Sequence, residues 1–299
     1  MSRLKDNDEF GNRMKAYEAV ETARRLDPML PIYARIDGRG FSKFTRGMER
    51  PFDPRMTAAM IETARYLVEA THARIGYVQS DEISLVWQAD KPDADILYAG
   101  KVHKLVSVLA SMAAAKFARE CPEGFEDRLP AFDCRVFQLP DQIEAANAIL
   151  WRVKDCRKNS VSMIAQSMFS HRALEGKRQS DMHAMLRDRG VDFSSYPEVN
   201  RLGCFLARRT FEWYPTSDPD GTNEHIDRRA QAAGPVLRSR VVQLDLPAFD
   251  QVANRKEVIF AAAEPFGFES EEGRAYVLAN YPPDHPRALA LAAPPVNKI

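Results

Sequence analysis

The chain is 299 residues long, 45% apolar and 28% charged, with 42 basic and 42 acidic side chains and a formal net charge of zero. That length buries a sizeable core in one large domain or two small ones, and the ordinary composition excludes a disordered chain. Zero net charge gives no overall signal for nucleic acid, so only a local patch could supply one.

The N-terminus is too polar for a signal peptide, and no apolar run approaches the length of a membrane span. Cys121, Cys134, Cys156 and Cys204 are widely spaced, with no C-x-x-C pair, which suits reduced thiols in a cytoplasmic protein.

In chain order, Phe10, Met14, Tyr17 and Val20 recur at helical spacing and predict an amphipathic helix over residues 9–26. Asp27-Pro28 and Pro31 end it. Ile32, Ala34 and Ile36 alternate with Tyr33, Arg35 and Asp37, the period of a strand, which Gly38 and Gly40 stop. Asp53-Pro54 starts a helix as N-cap and first helical residue. Residues 75–88 read as a hairpin with an acidic tip at Ser80-Asp81-Glu82. A second long helix runs from Val102 to Phe117, and Phe132–Phe137 is a further strand.

The order β-α-β-β-α-β predicts an α+β chain with a ferredoxin-like core resembling a polymerase palm, an antiparallel sheet with two helices on one face. Residues 1–140 would form this catalytic core with its N-terminal helix. Residues 141–299 would be a mainly helical, basic, RNA-facing extension with a late strand, in one compact unit with the core. Residues 141–151, 160–171 and 180–188 read as helices, 202–213 as the late strand, and 215–235 as a polar loop. Pro282, Pro283, Pro286, Pro294 and Pro295 predict a tail without regular structure. Residues 151–210 carry 12 basic against 6 acidic side chains, either a solvated helical face or a patch that tracks an RNA backbone.

The candidate chemistry sits where the first strand and the hairpin break. Asp37 and Asp81, brought together from a strand end and a turn, would form a hard oxygen site of the kind Mg²⁺ prefers beside phosphates. Arg35, Arg39 and Ser80 flank them. Asp-Gly alone usually marks only a turn; the cations and the hydroxyl nearby favour a metal–triphosphate site. The six histidines show no metal spacing. Ser84 lacks the context of a hydrolase nucleophile. Trp87 and Trp151 are expected in the core rather than as base-stacking platforms.

Arg35-Ile36-Asp37-Gly38-Arg39 with Phe41, and Gln79-Ser80-Asp81-Glu82-x-Ser84, resemble the two signatures of the histidine-tRNA guanylyltransferase family. Phe132-Asp133-x-Arg135-Val136, Trp151-Arg152-x-x-Asp155-x-x-x-Asn159 and Arg201-x-Gly203 match as well, over roughly residues 9–260. Where the eukaryotic pattern has His-Ile-Asn-Asn, this chain has Arg157-Lys158-Asn159-Ser160. That resembles the bacterial guanylyltransferase-like branch, which adds nucleotides in the 3′–5′ direction to truncated tRNA against a template. The resemblance implies that ATP activates the tRNA 5′-monophosphate and that the 3′-hydroxyl of an incoming triphosphate, such as GTP, then attacks it.

By position, the resemblance gives Asp37, Asp81 and the Gly38 carbonyl to two Mg²⁺ ions, with Glu82 as a supporting carboxylate. Arg39, Gly40, Phe41, Ser42 and Ser80 would line the triphosphate. Lys101 and Lys104 would reach a second nucleotide's phosphates or form a solvated helix turn. Asp155 and Asn159 would shape the activation site or cap a helix. Arg135, Arg152, Arg157, Lys158 and Arg201 would face RNA or the activation site. The partners implied are tRNA, nucleoside triphosphates and further copies of the chain in a tetramer. The alternatives are untemplated guanosine addition to histidine tRNA, a palm-type nucleotide cyclase, and a non-catalytic RNA-binding palm.

Overall fold

Strand β1 (Ile32–Gly38) is the spine of the fold, paired antiparallel on both edges. The computed structural model describes residues 9–213 and 236–292, which form one sheet of strand order β4-β1-β3-β2-β5-β6, antiparallel throughout. The other strands are β2 (Ile75–Gln79), β3 (Glu82–Trp87), β4 (Phe132–Gln138), β5 (Cys204–Trp213) and β6 (Val236–Gln243). Helix α1 (Glu9–Thr22) precedes β1. The short α2 (Phe41–Phe44) and the long α3 (Pro54–Thr71) follow it, and α4 (Val102–Arg119) joins β3 to β4. The expected alternation of strands and helices is therefore present over residues 32–138, with the fold class mixed α and β.

The period of two in β1 sorts its side chains onto two faces. Ile32, Ala34 and Ile36 face α3 and α4 and pack with Met60, Leu67, Leu105 and Leu109. Each buried aliphatic side chain of this kind contributes about 1.5–3 kcal/mol. Tyr33 packs on the opposite face with Tyr77, Val86 and Phe205 under helix α5 (Gln142–Met168). The polar face of β1 is thus covered as well.

Helix α5 corrects the expectation of two helices broken around residues 152–159. No Gly or Pro lies in its 27 residues, and Ala145, Ile149, Val153, Cys156, Ser160 and Ile164 keep one continuous buried stripe. It also removes the option that Asp155 and Asn159 cap a helix, since both lie in its interior. Helices α6 (His171–Leu174), α7 (Gln179–Asp188) and α8 (Glu198–Leu202) lead to β5.

Helix α1 ends at Thr22 and buries no residue; Phe10, Met14, Tyr17 and Val20 are all exposed. The helix exists, but its apolar spacing does not pack on this chain's core. The proline-marked tail is corrected too. After α9 (Arg255–Phe260) come α10 (Glu271–Asn280) and α11 (Pro286–Ala292), in which Pro286 takes the first helical position, where its missing N–H costs nothing. The expected loop at 215–235, with Pro294 and Pro295, lies outside the described residues.

Candidate active site

The two acidic turns meet at one end of the sheet. Gln79 pairs with Glu82, so β2 and β3 are joined by a two-residue turn of Ser80 and Asp81, with Ser80 at φ 47°. The Gly38 N–H donates to the Asp81 carbonyl at 3.0 Å, tying the end of β1 to that turn. In register, Asp37 lies between Glu82 on β3 and Asp133 on β4. Direct cross-strand partners project to one face, so three carboxylates lie in a row on the α5 side.

Glu82 is not free to act with the other two. Its carboxylate accepts from Arg152 Nε and Nη2, both at 2.6 Å, and from Gln79 Nε2 at 3.1 Å, while Arg35 Nε stands 3.9 Å away. Arg152 also donates to Asp155 at 2.9 Å, which accepts from Asn159 at 3.2 Å.

Asp37 and Asp81 have no salt-bridge partner among the described residues. Burial pushes the Asp81 carboxyl up to about 6, with Asp37 adding to the rise. Asp37 is raised by burial and by the neighbouring Glu82 and Asp133. Arg35 and Arg152 offset part of the rise at Asp37 without pairing with it. Two half-relieved or buried carboxyl groups without an ion-pair partner fit a hard divalent ion. No cluster of three or more His, Cys, Asp or Glu among the described residues is placed to hold a metal. The rest of a coordination shell would come from backbone, phosphate and water oxygens, as is usual for Mg²⁺.

Two cavities flank Asp81. One of about 510 Å³ runs past Gly38, Gly40, Ser42 and Ser80 over an apolar floor of Phe41, Met48, Phe52, Met56 and Met163. The other, of about 420 Å³, is bordered by Arg35, Asp37, Glu82 and Arg152. Asn159, Gln79 and Gln166 border both. Gly40 opens α2 with φ 69°, a conformation that glycine adopts without strain.

A family model described as tRNAHis guanylyltransferase (Thg1) matches residues 11–140. The tRNA(His) guanylyltransferase of Schizosaccharomyces pombe is 30% identical over 220 residues, covering 66% of this chain and 83% of that protein. The chain belongs to the tRNA(His) guanylyltransferase family. A bacterial guanylyltransferase-like protein solved with ATP is 35% identical at a TM-score of 0.63, over 67% of this chain and 88% of that one. Another, solved with GTP, is 29% identical at a TM-score of 0.64, over 84% and 97%. Members of this family are nucleotidyltransferases, and this chain is one of them.

Of the positions matching the guanylyltransferase pattern, some gather at the acidic turns and others do not. Gly40, Ser42, Ser80 and Asn159 border the first cavity. Arg39 is exposed, its N–H donating to the Ala131 carbonyl. Phe41 borders the same cavity, but its ring is buried against Phe44, Phe117 and Phe132. Lys101 and Lys104 begin α4 at the opposite end of the sheet, where Lys101 bridges Arg25; neither borders a cavity at the acidic turns.

Arg157 reaches Asp250 at 3.3 Å, Arg135 pairs with Asp133 at 3.7 Å, and Lys158 is exposed. Arg201 donates to the Tyr196 carbonyl at 2.8 Å. Gly203 of the same motif has a packing reason: a Cβ there would stand 2.4 Å from the Tyr77 hydroxyl. Trp87 is buried as expected. Trp151 is not: it is 53% exposed, because Ile149 and Val153 take the core side of α5. Reading the sequence alone missed Met163, Gln166 and Asn200, which reach the cavity from α5 and α8. No local motif marks them.

No helix among the described residues is long and apolar enough to cross a membrane. All four cysteines are unpaired.

Proposed function

We propose that this chain is a Mg²⁺-dependent nucleotidyltransferase that extends tRNA 5′ ends in the 3′–5′ direction, using residues 32–138 as a palm-like core. The reading rests on one observation above the rest: the Gly38–Asp81 hydrogen bond ties the end of β1 to the acidic turn, so that Asp37 and Asp81, neither in an ion pair, border one cavity of about 420 Å³, with the cavity of about 510 Å³ on the other side of Asp81. Asp37 and Asp81 would hold the metal, with the Gly38 carbonyl as a further ligand. Bound Mg²⁺ lowers the pKa of an attacking hydroxyl and neutralises phosphate charge.

The chain's own part is positioning, which dominates phosphoryl transfer. The turn at Gly40–Ser42 and Ser80 would hold the triphosphate, and the apolar floor would take the base. Arg35 lies on the charged side, where an RNA 5′-phosphate would arrive. Arg152 is committed to Glu82 and Asp155, and we assign it to fixing that side rather than to binding RNA. Residues 141–292 bring α5 and its cations over the sheet and form the RNA-facing part of the chain.

Templated repair of truncated tRNA is favoured over guanosine addition to histidine tRNA. Arg157-Lys158-Asn159-Ser160 departs from the eukaryotic pattern, and bacterial guanylyltransferase-like proteins are among the similar structures. The test is incorporation of labelled nucleotide into a 5′-truncated, 5′-phosphorylated tRNA carrying each possible facing base. Incorporation that follows the facing base supports the reading. Addition of guanosine to full-length histidine tRNA alone replaces repair with the guanylyltransferase activity. Failure to incorporate into any tRNA, with folded protein and Mg²⁺, overturns the reading.

A further inference from the structure

Trp151 lies one helical turn before Asp155, on the outer side of α5, and is 53% exposed. The Arg152 guanidinium stands 4.6 Å from its ring centre and that of Arg35 stands 5.5 Å away. Both arginines border the cavity that contains Asp37 and Asp81. The indole is therefore at the rim of the reaction centre.

Its surroundings are cationic. Lys154 and Lys158 follow at three and seven residues, on the same side of the helix, and both are exposed. Neither makes an ion pair among the described residues. Arg135, exposed on β4, stands opposite Arg35 in register. The acidic groups nearby are already engaged: Asp133 with Arg135, Asp155 and Glu82 with Arg152.

We propose that Trp151 is a stacking platform for the 5′-terminal base of the RNA delivered to Asp37 and Asp81. An exposed indole bordered by unpaired lysines combines the two elements that hold a single-stranded end: a π-face for the base and cations for the backbone. A free nucleotide fits the larger, apolar-floored cavity on the other side of Asp81 better than this open rim. The inference rests on the 5′-end reading above, and Trp151 acts as a positioning residue.

The test measures the affinity of wild type, Trp151→Ala and Trp151→Phe for two RNAs. One is a 5′-truncated, 5′-phosphorylated tRNA; the other is the same RNA with an abasic 5′-terminal nucleotide. The expected result is a loss of about 5- to 150-fold for Trp151→Ala on the base-bearing RNA, the range of one stacked base. Trp151→Phe retains most of the affinity, and the abasic RNA binds wild type and Trp151→Ala equally.

Equal binding of the base-bearing RNA by wild type and Trp151→Ala overturns the proposal and leaves the function reading intact. So does an equal loss on both RNAs, which would mean that the indole only supports Arg152. An unchanged RNA affinity with a raised KM for the triphosphate assigns the platform to the free nucleotide and overturns it as well. If wild type binds neither RNA, the function reading fails and takes this one with it.

Discussion

Arg152 on α5 grips Glu82 on β3 through two contacts of 2.6 Å, with both residues buried. The pair joins the helix to the strand carrying the acidic turn, so it sets where α5 stands over Asp37 and Asp81. Removing one partner of a buried ion pair strands the other charge, at about 3–5 kcal/mol. Arg152→Met is expected to lose stability of that order in urea titration and to lose turnover. Adding Glu82→Leu should recover much of the stability without the turnover, because the carboxylate row beside Asp37 is then changed. A single variant as stable as wild type would remove this role for the pair.

Asp81 gives a pH signature. Its folded-state pKa, about 6, lies above the ordinary carboxylate value. Ionisation is therefore penalised in the folded state, the penalty is present at pH 7, and it is relieved as pH falls through 6. Metal-free protein should gain stability between pH 7 and pH 5. Asp81→Asn should flatten that dependence and be more stable at pH 7 by roughly 1–3 kcal/mol, while abolishing incorporation. Thermal melts in chelator at the two pH values check it, and a parallel dependence in wild type and variant would contradict it.

Asp53 has the opposite sign. It caps α3, accepting from the Arg55 and Glu49 N–H groups at 2.9 and 3.0 Å, and pairs with the Arg55 side chain at 2.7 Å. The hydrogen bond from that side chain is the largest cause holding its carboxyl well below the usual range. Its stabilisation is complete above the ordinary carboxylate pKa and is lost as pH falls below about 4. Asp53→Ala should cost about 1–2 kcal/mol at pH 7 and progressively less below pH 4. Equal costs at pH 7 and pH 3 would refute the assignment.

Gly203 has φ 82° and ψ −174°, a region almost restricted to glycine, and packs against the Tyr77 ring. Gly203→Ala should destabilise by more than about 1 kcal/mol. Tyr77→Phe should not rescue it, since the ring carbon Cε2 is as close, at 2.5 Å, as the hydroxyl. Full rescue would place the strain in the hydroxyl contact alone.

The alternation of Ile32, Ala34 and Ile36 and the helical repeats of α3 and α4 were legible because a half-buried element writes its period into its own residues. So were the breaks at Gly38 and Ser80-Asp81, where local turn chemistry fixes the backbone. Nothing local could show that a 27-residue helix continues through Arg157-Lys158-Asn159-Ser160, or that Trp151 faces outward. Those outcomes depend on which side of α5 meets the sheet.

Neighbouring residues alone carry strands β1 to β4, the long helices α3 and α4, the family and the two acidic turns; the four-residue α2 is too short to write a period and was not legible. It took the packed fold to assign Glu82 to Arg152 and to leave Asp37 and Asp81 without an ion-pair partner among the described residues. The partners lie 70 positions apart, and their choice follows from the layer α5 lays over the polar face of β1. The physical reason is burial: a carboxylate covered by a helix must be paired or raised in pKa, and which of the two happens is set by the side chain above it.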